Sequence, residues 1–292
     1  MRTAFLLAAA CLAAGGSAAR LPAQTAIATG RATADRDVSL RILNLEGAVR
    51  VTGWDRDSIA VVGSLDVPRG IEGFYLAGNP NRRGFKLGVH TDAEGRPVGS
   101  ARLEVHVPRD SRVWIKTNGA AIDVDDVRGG LDLYSVSGPV RVSGRVDQLS
   151  IESMDGDVEI TAAAGWLRIK TADGRALLSG SADDAAVSTV SGPIVVEGGR
   201  YARARFESVT GGVELQGALA RGGSYSFETH SGPVTLRLAP DPDATVAVST
   251  FGGDVRSDFG RPPASGETIR LGNGEATVSI RTFRGAVSLR RR

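Results

Sequence analysis

Leu149-Ser150-Ile151-Glu152-Ser153-Met154-Asp155-Gly156-Asp157-Val158-Glu159-Ile160 is followed 18 residues later by Leu167-Arg168-Ile169-Lys170-Thr171-Ala172-Asp173-Gly174-Arg175-Ala176-Leu177-Leu178. Each segment has two alternating apolar positions, a hydroxyl residue, a glycine three residues on, and two more alternating apolar positions. Alternation with period 2 marks a strand, and the change of phase at the hydroxyl marks a corner between two short strands. The hydroxyl recurs as Thr117, Ser135, Ser153, Thr171, Thr189, Ser208, Thr229 and Thr250, at steps of 18, 18, 18, 18, 19, 21 and 21 residues. A period this short is too small for a domain and fits one coil of a β-solenoid, which buries a core only by stacking on its neighbours.

The other positions keep the same register. Leu131/Leu133, Ala185/Val187, Ala204/Phe206, Tyr225/Phe227 and Val246/Val248 precede the hydroxyl. A mostly apolar slot follows it, at Val136, Met154, Ala172, Val190, Val209, His230 and Phe251. Glycine then stands at 138, 156, 174, 192, 211, 232 and 253, with Ala120 in that place in the first regular coil. A weaker apolar point at Val146, Ala164, Ala182 and Leu219 closes the coil. Two outlying copies centre on Asn44 with Gly47 and on Thr282 with Gly285, so ten coils are visible, eight contiguous and one at either end across an insertion. The fold expected is all-β: a single-chain parallel β-solenoid of about 18–21 residues per coil, capped at its N-terminal end by antiparallel strands.

Along the chain this divides into a signal peptide at 1–19, a flexible lead-in at 20–37, a first coil with an antiparallel capping insertion at 38–112, the regular body at 113–256, and an insertion with a final coil at 257–292. The signal reading rests on Arg2, the apolar run Ala4 to Ala14 and small residues at Ser17-Ala18-Ala19. Cys11 lies inside that run, which leaves open a lipid anchor through it. The run is shorter than the ~20 residues a transmembrane helix needs. Cleavage would remove the only cysteine, so the mature chain has no internal disulfide and no transmembrane segment. Pro139, Pro193 and Pro233 follow the repeat glycine and mark a bend there. The insertions at 60–110 and 257–275 interrupt the repeat and are where anything specific to this chain would sit.

With 41% hydrophobic and 5% aromatic residues, the core is one of Val, Ile, Leu and Ala. The net charge of +2 is spread along the chain, apart from Arg290-Arg291-Arg292, so nucleic acid is not an expected partner. The hydroxyl column suits a corner where each hydroxyl bonds neighbouring backbone or the hydroxyl of the next coil. The glycine column suits a close approach of backbone across a thin core.

Segments such as Ser135-Val136-Ser137-Gly138-Pro139-Val140-Arg141-Val142, the Ser153 to Ile160 stretch and Ser188-Thr189-Val190-Ser191-Gly192-Pro193-Ile194-Val195-Val196 resemble the bacterial DUF4097 family, also called “putative adhesin” or toastrack β-solenoids. The opening Val49-Arg50-Val51-Thr52-Gly53-Trp54-Asp55 is similar to the start of such proteins, and the likeness spans roughly 38–290. It implies an exported or envelope-associated protein with a binding or scaffold role. It implies no catalytic residues.

A search of the residues for chemistry gives no catalytic, cofactor-binding or metal set. His90 and His106 sit on separate strands, and His230, in the apolar slot, reads as a semi-buried hydrogen-bonded residue. Asp123, Asp125 and Asp126 with Asp183 and Asp184 are the acidic residues nearest to a calcium set, yet they read as charged turns. Asp157 and Glu159 illustrate how carboxylates stack on a solenoid face, as a glycosidase would require. The aromatics expected to face outward, Trp54, Tyr75, Trp114 and Trp166, are scattered. The expected function is therefore an exported, non-enzymatic β-solenoid with an adhesin-like or structural role at the cell envelope, meeting an envelope protein or a polysaccharide. The competing reading is a polysaccharide-active enzyme that uses paired carboxylates on one face. A partner in envelope stress signalling is a third.

Overall fold

The computed structural model describes residues 23–68, 74–79, 81–89 and 99–292. The signal segment with Cys11, and His90 in the first insertion, lie outside the described residues. The strands form two 13-stranded sheets, and each coil gives one strand to each. In the coil quoted first, Arg145–Ser153 lies in one sheet and Val158–Ile160 in the other, with the Ser153 to Gly156 corner between them. Neighbouring coils pair in parallel and in register: Leu149 lies beside Leu131 and Leu167, and Val158 beside Val140 and Ala176. Like therefore stacks on like, with Ser135 beside Ser153, Thr189 beside Ser208 and Thr229 beside Thr282.

The core fills the space between the sheets. Leu149, Ile151, Val158 and Ile160 are all at most 1% exposed, and the pattern repeats in every coil. Each larger aliphatic side chain buried this way contributes roughly 1.5–3 kcal/mol before chain entropy is counted. The weak third apolar point does not form a face of its own. Val146 and Ala164 pair with each other at the start of long strands, and Asp147 and Gly165 then drop out of the ladder. The gap falls at the same place in both strands, so the register is kept across it.

The seven coils from residue 112 to residue 238 follow one another in sequence and in space. At both ends the order of layers departs from the order of the chain. The final coil, Ala276–Thr282 with Val287–Arg291, lies between the coil of Ser224–Thr229 and that of Ala244–Thr250. The eighth expected coil, at 244–257, is thus displaced outward by one layer. The link Ala239-Pro240-Asp241-Pro242-Asp243 is long enough to carry the chain past that layer. Thr268–Leu271 then closes this end as an antiparallel strand on Ala244–Thr250.

The other end shows the same interleaving. Ser39–Leu43 and Gly47–Trp54 stack directly on the coil at 112–125. Outside them, Gly84–Val89 and Ala101–Pro108 pair in parallel with the first coil, so this part of the insertion is a further coil rather than antiparallel capping. Ser58–Pro68 and Phe74–Gly78 run antiparallel beyond it and begin the cap. The count of coils is eleven, one more than the ten visible in sequence: two strands in each 13-stranded sheet lie outside them.

The lead-in is also structured. Ala23–Thr33 is a strand of 11 residues, antiparallel to Ser58–Pro68 along its whole length. Its Ala, Thr and Gly residues carry little apolar contrast, yet main-chain pairing with a long neighbour suffices to order them.

Candidate functional site

The corner that defines the repeat turns its hydroxyl inward and the next side chain outward. Thr117, Ser135, Ser153, Thr171, Thr189, Ser208, Thr229 and Thr282 are all buried, and Asn44 takes the same place in the first coil. Ser135, Ser153, Thr189 and Thr229 each donate to the carbonyl of their own repeat glycine at 2.7–2.9 Å. The Thr189 and Ser208 hydroxyls are 3.0 Å apart. Since the Thr189 proton goes to Gly192 O, the Ser208 hydroxyl donates between them. Thr229 and Thr282 repeat the contact at 3.0 Å across the interleaved layer. Asn44 bridges instead to the carbonyls of Ala101 and Ala48.

The glycine column is needed along the stack and not across the core. A Cβ on Gly156 would lie 2.2 Å from Gly138 O, and one on Gly174 would lie 2.2 Å from Gly156 O. The column runs on through Gly232, Gly285 and Gly253, in the interleaved order. Each glycine is pressed against the carbonyl of its neighbour, because the corner brings successive main chains closer than a methyl group allows.

With hydroxyl and glycine turned in, the slot between them points to solvent. Val136, Met154, Val190, Val209, Phe283 and Phe251 are exposed, Met154 by 56% and Phe251 by 82%. Together with Ala172 and His230 they make one largely apolar ridge along the corner of eight successive coils, about 34 Å from first to last over seven strand spacings. His230 is exposed, which corrects the semi-buried reading. It stacks on Phe283 at 5.1 Å, and Phe283 stacks on Phe251 at 5.0 Å. Arg284 lies 5.3 Å from the Phe283 ring. A shallow depression between the ridge and the adjoining sheet is lined by Lys116, Tyr134, Glu152 and Lys170.

A second groove lies elsewhere, on the outer face of the second sheet. It has a volume of about 450 Å³ and holds Glu104, Arg50, Asp123, Arg141, Glu159 and His106. Register stacks these in alternating charge, Glu104 beside Arg50, Arg50 beside Asp123, Asp123 beside Arg141 and Arg141 beside Glu159. Arg141 reaches Glu159 at 3.3 Å and Asp123 at 3.9 Å. These carboxylates are members of a charge ladder, each beside a guanidinium, and the arrangement does the work of a surface ion-pair network.

The acidic residues singled out in the sequence are engaged in the same way. Asp126 pairs with Arg109 at 2.7 Å, Asp125 accepts from Ser143 Oγ at 2.6 Å, and Asp184 pairs with Arg203 at 3.0 Å. Asp157 accepts from the Arg175 amide at 2.9 Å. Asp183 lines a separate notch with Arg145, Asp147 and Arg200. Among the described residues no group of three or more His, Cys, Asp or Glu side chains could hold a metal ion.

The aromatics do not form a row. Trp54 donates to Ser58 O and packs on His106 at 5.1 Å, and Trp114 tilts against Tyr134 at 5.6 Å. Trp166 and Tyr75 are partly exposed on other parts of the surface.

Two buried phenols stand apart from any groove. Burial, aided by the neighbouring Tyr225, pushes the Tyr201 phenol well above its ordinary value. Its hydroxyl donates to Gly180 O at 2.9 Å. Burial also raises Tyr225, whose oxygen accepts from the Ala220 amide. Both phenols serve the core.

The model of one protein family, Toastrack DUF4097, matches residues 100–290, the regular coils and the interleaved end. The chain belongs to the Toastrack DUF4097 family. Its fold is similar to that of a “putative adhesin” from Parabacteroides merdae, at 10% identity over 90% of this chain and 95% of that one, with a TM-score of 0.54. A “putative lipid binding protein” from Parabacteroides distasonis has 13% identity, 90% and 96% coverage, and a TM-score of 0.48. A “putative adhesin” from Bacteroides fragilis has 12% identity, 91% and 97% coverage, and a TM-score of 0.44. No curated protein matches the chain. The stacked Ser/Thr-x-x-Gly corners from Ser135 to Gly285 lie within the matched residues. Among the described residues no helix is long and apolar enough to cross a membrane.

Proposed function

We propose that this Toastrack chain is an exported, non-enzymatic binding protein of the cell envelope that meets its partner along the apolar ridge. The observation that carries the reading is the ridge itself: the slot between Val136 and Phe251 presents an exposed apolar side chain in six of eight coils, with half-buried Ala172 and exposed His230 in the other two. Such a stripe exceeds the scattered single apolar residues of an ordinary surface. It is also narrow, one side chain wide, so it suits a contact that is weak at each rung and gains by being long or multiple. The apolar signal-like segment at 1–19 supports export, and the naming of a similar fold as an adhesin supports a binding role.

A protein partner is favoured over a polysaccharide. Both faces of Phe283 are covered, by His230 on one side and Phe251 on the other. Sugar rings stack on open aromatic faces, and the Phe283 ring at the middle of this ladder offers only its edge. The carboxylates of the second groove stand in ion-paired register, which counts against the glycosidase reading.

The test is adhesion of beads coated with the protein to bacterial cells. The double variant Met154→Asp/Val190→Asp is expected to lower adhesion at least fivefold with an unchanged Tm, and soluble polysaccharide is expected not to compete. Undiminished adhesion of the variant would remove the ridge as the binding surface. Release of reducing sugar from a polysaccharide panel, abolished by Glu159→Gln, would establish the enzyme instead. Export is tested separately, by fusing residues 1–30 to a periplasm-dependent reporter enzyme.

A further inference from the structure

The two sheets end in four edges, and three of these are short: Phe74–Gly78, Val255–Ser257 and Thr268–Leu271 have 5, 3 and 4 residues. The fourth is Ala23–Thr33, an edge strand of 11 residues. Natural edge strands are protected by brevity, proline, bulges or outward charge. This one is long, lacks proline, and carries a single charge, Arg31. That guanidinium is folded back over the Trp54 ring at 5.9 Å and does not guard the edge. Pairing with Ser58–Pro68 is continuous, without a bulge, from one end of the strand to the other.

The direction of the free main-chain groups follows from the register. The Ala34 amide donates to Asp57 O at 3.1 Å, which makes residues 34 and 57 a hydrogen-bonded pair. Alternation with period 2 then turns Ala32 and Gly30 toward the same neighbour and leaves the amides of Arg31 and Thr29 facing outward. Among the described residues no backbone group pairs with them.

We propose that Ala23–Thr33 pairs antiparallel with the same strand of a second copy of this chain, joining two solenoids end to end through one continuous sheet about a twofold axis. An antiparallel edge is complementary to itself under such an axis, so no second surface is needed. Full overlap of two such strands forms roughly one main-chain hydrogen bond per residue. The other end offers edges of only 3 and 4 residues, with Pro262-Pro263 in the segment between them, so growth stops at two copies rather than running into a fibre.

The experiment is light scattering of the purified protein after gel filtration, with amide exchange measured at two concentrations. Twice the single-chain mass is expected, with the Thr29 and Arg31 amides protected more strongly at the higher concentration. Thr29→Pro removes an outward donor without touching the inner ladder and is expected to give the single-chain mass with a Tm within about 3 °C of the parent. Thr29→Lys is expected to weaken the dimer at least tenfold by placing charge on the edge, so the conclusion does not hang on the proline alone. Met154→Asp/Val190→Asp is expected to remain dimeric, which separates this strand from the ridge. A single-chain mass for the parent overturns the proposal, as does a dimer that survives both Thr29 substitutions or is abolished by the ridge variant.

Discussion

At the scale of single residues, the fold rests on groups that face the axis of the stack. Gly174→Ala is expected to cost about 3 kcal/mol, because its Cβ meets a backbone carbonyl that cannot turn aside. Gly130→Ala is the matched control: its nearest neighbour is the side chain of Arg112 at 3.7 Å, and unfolding curves should show it neutral or slightly stabilised. Tyr201 gives the chain a pH dependence. Its phenol stays protonated in the folded state beyond the ordinary value of about 10, so the unfolded chain loses its proton first. Stability from this group is whole below pH ~10 and is lost as pH rises toward the folded value. Melting curves between pH 9 and 11 should therefore fall more steeply for the parent than for Tyr201→Phe. The hydroxyl and glycine columns were legible in the sequence because every coil makes the same demand at the same place. The sense of the glycine contact was not, since a period in sequence shows that backbones approach without showing along which direction. The slot after the hydroxyl reads in sequence as apolar, which by itself does not say which way it faces. The corner reverses the phase there, and only the geometry of the turn reveals that Val136 and Met154 face water.

At the scale of elements, strand content and coil boundaries follow from local pattern, whereas the order of layers does not. Thr229 meets Thr282 with the same 3.0 Å contact that Thr189 makes with Ser208, so nothing in the corner distinguishes an interleaved neighbour from a sequential one. Gly84–Val89 pairs in parallel and Phe74–Gly78 antiparallel, and neither short stretch carries the direction of its pairing in its sequence. Ala23–Thr33 is not legible as a strand in the sequence, because its small residues give no period to read. Deletion of residues 276–292 tests whether the interleaved coil is needed. It removes Val278, Ile280, Val287 and Leu289 from the core and leaves the edge of Val234–Leu238 unpaired. The expected outcome is a fall in Tm of roughly 10 °C or more, with loss of exchange protection at Val234–Leu238. Retained protection would mean that coil 244–257 can take the vacant layer.

At the scale of the whole molecule, the stack converts one local rule into a long, straight feature. The ridge exists because each coil repeats the same corner, and the ladder from Glu104 to Glu159 exists because register places charges of opposite sign one above another. Family membership and architecture were thus readable from the repeat, while the ridge emerged only when the corners were stacked. Interleaving at 276–291 has a bearing on how the protein is made. That coil leaves the ribosome after coil 244–257 but lies inside it, so a nascent chain halted between the two has its outermost finished layer bare and the next one without a seat. Completion of the rod is therefore a late, all-or-nothing event at this end, and a chain interrupted there displays a raw β-edge that folding surveillance can recognise.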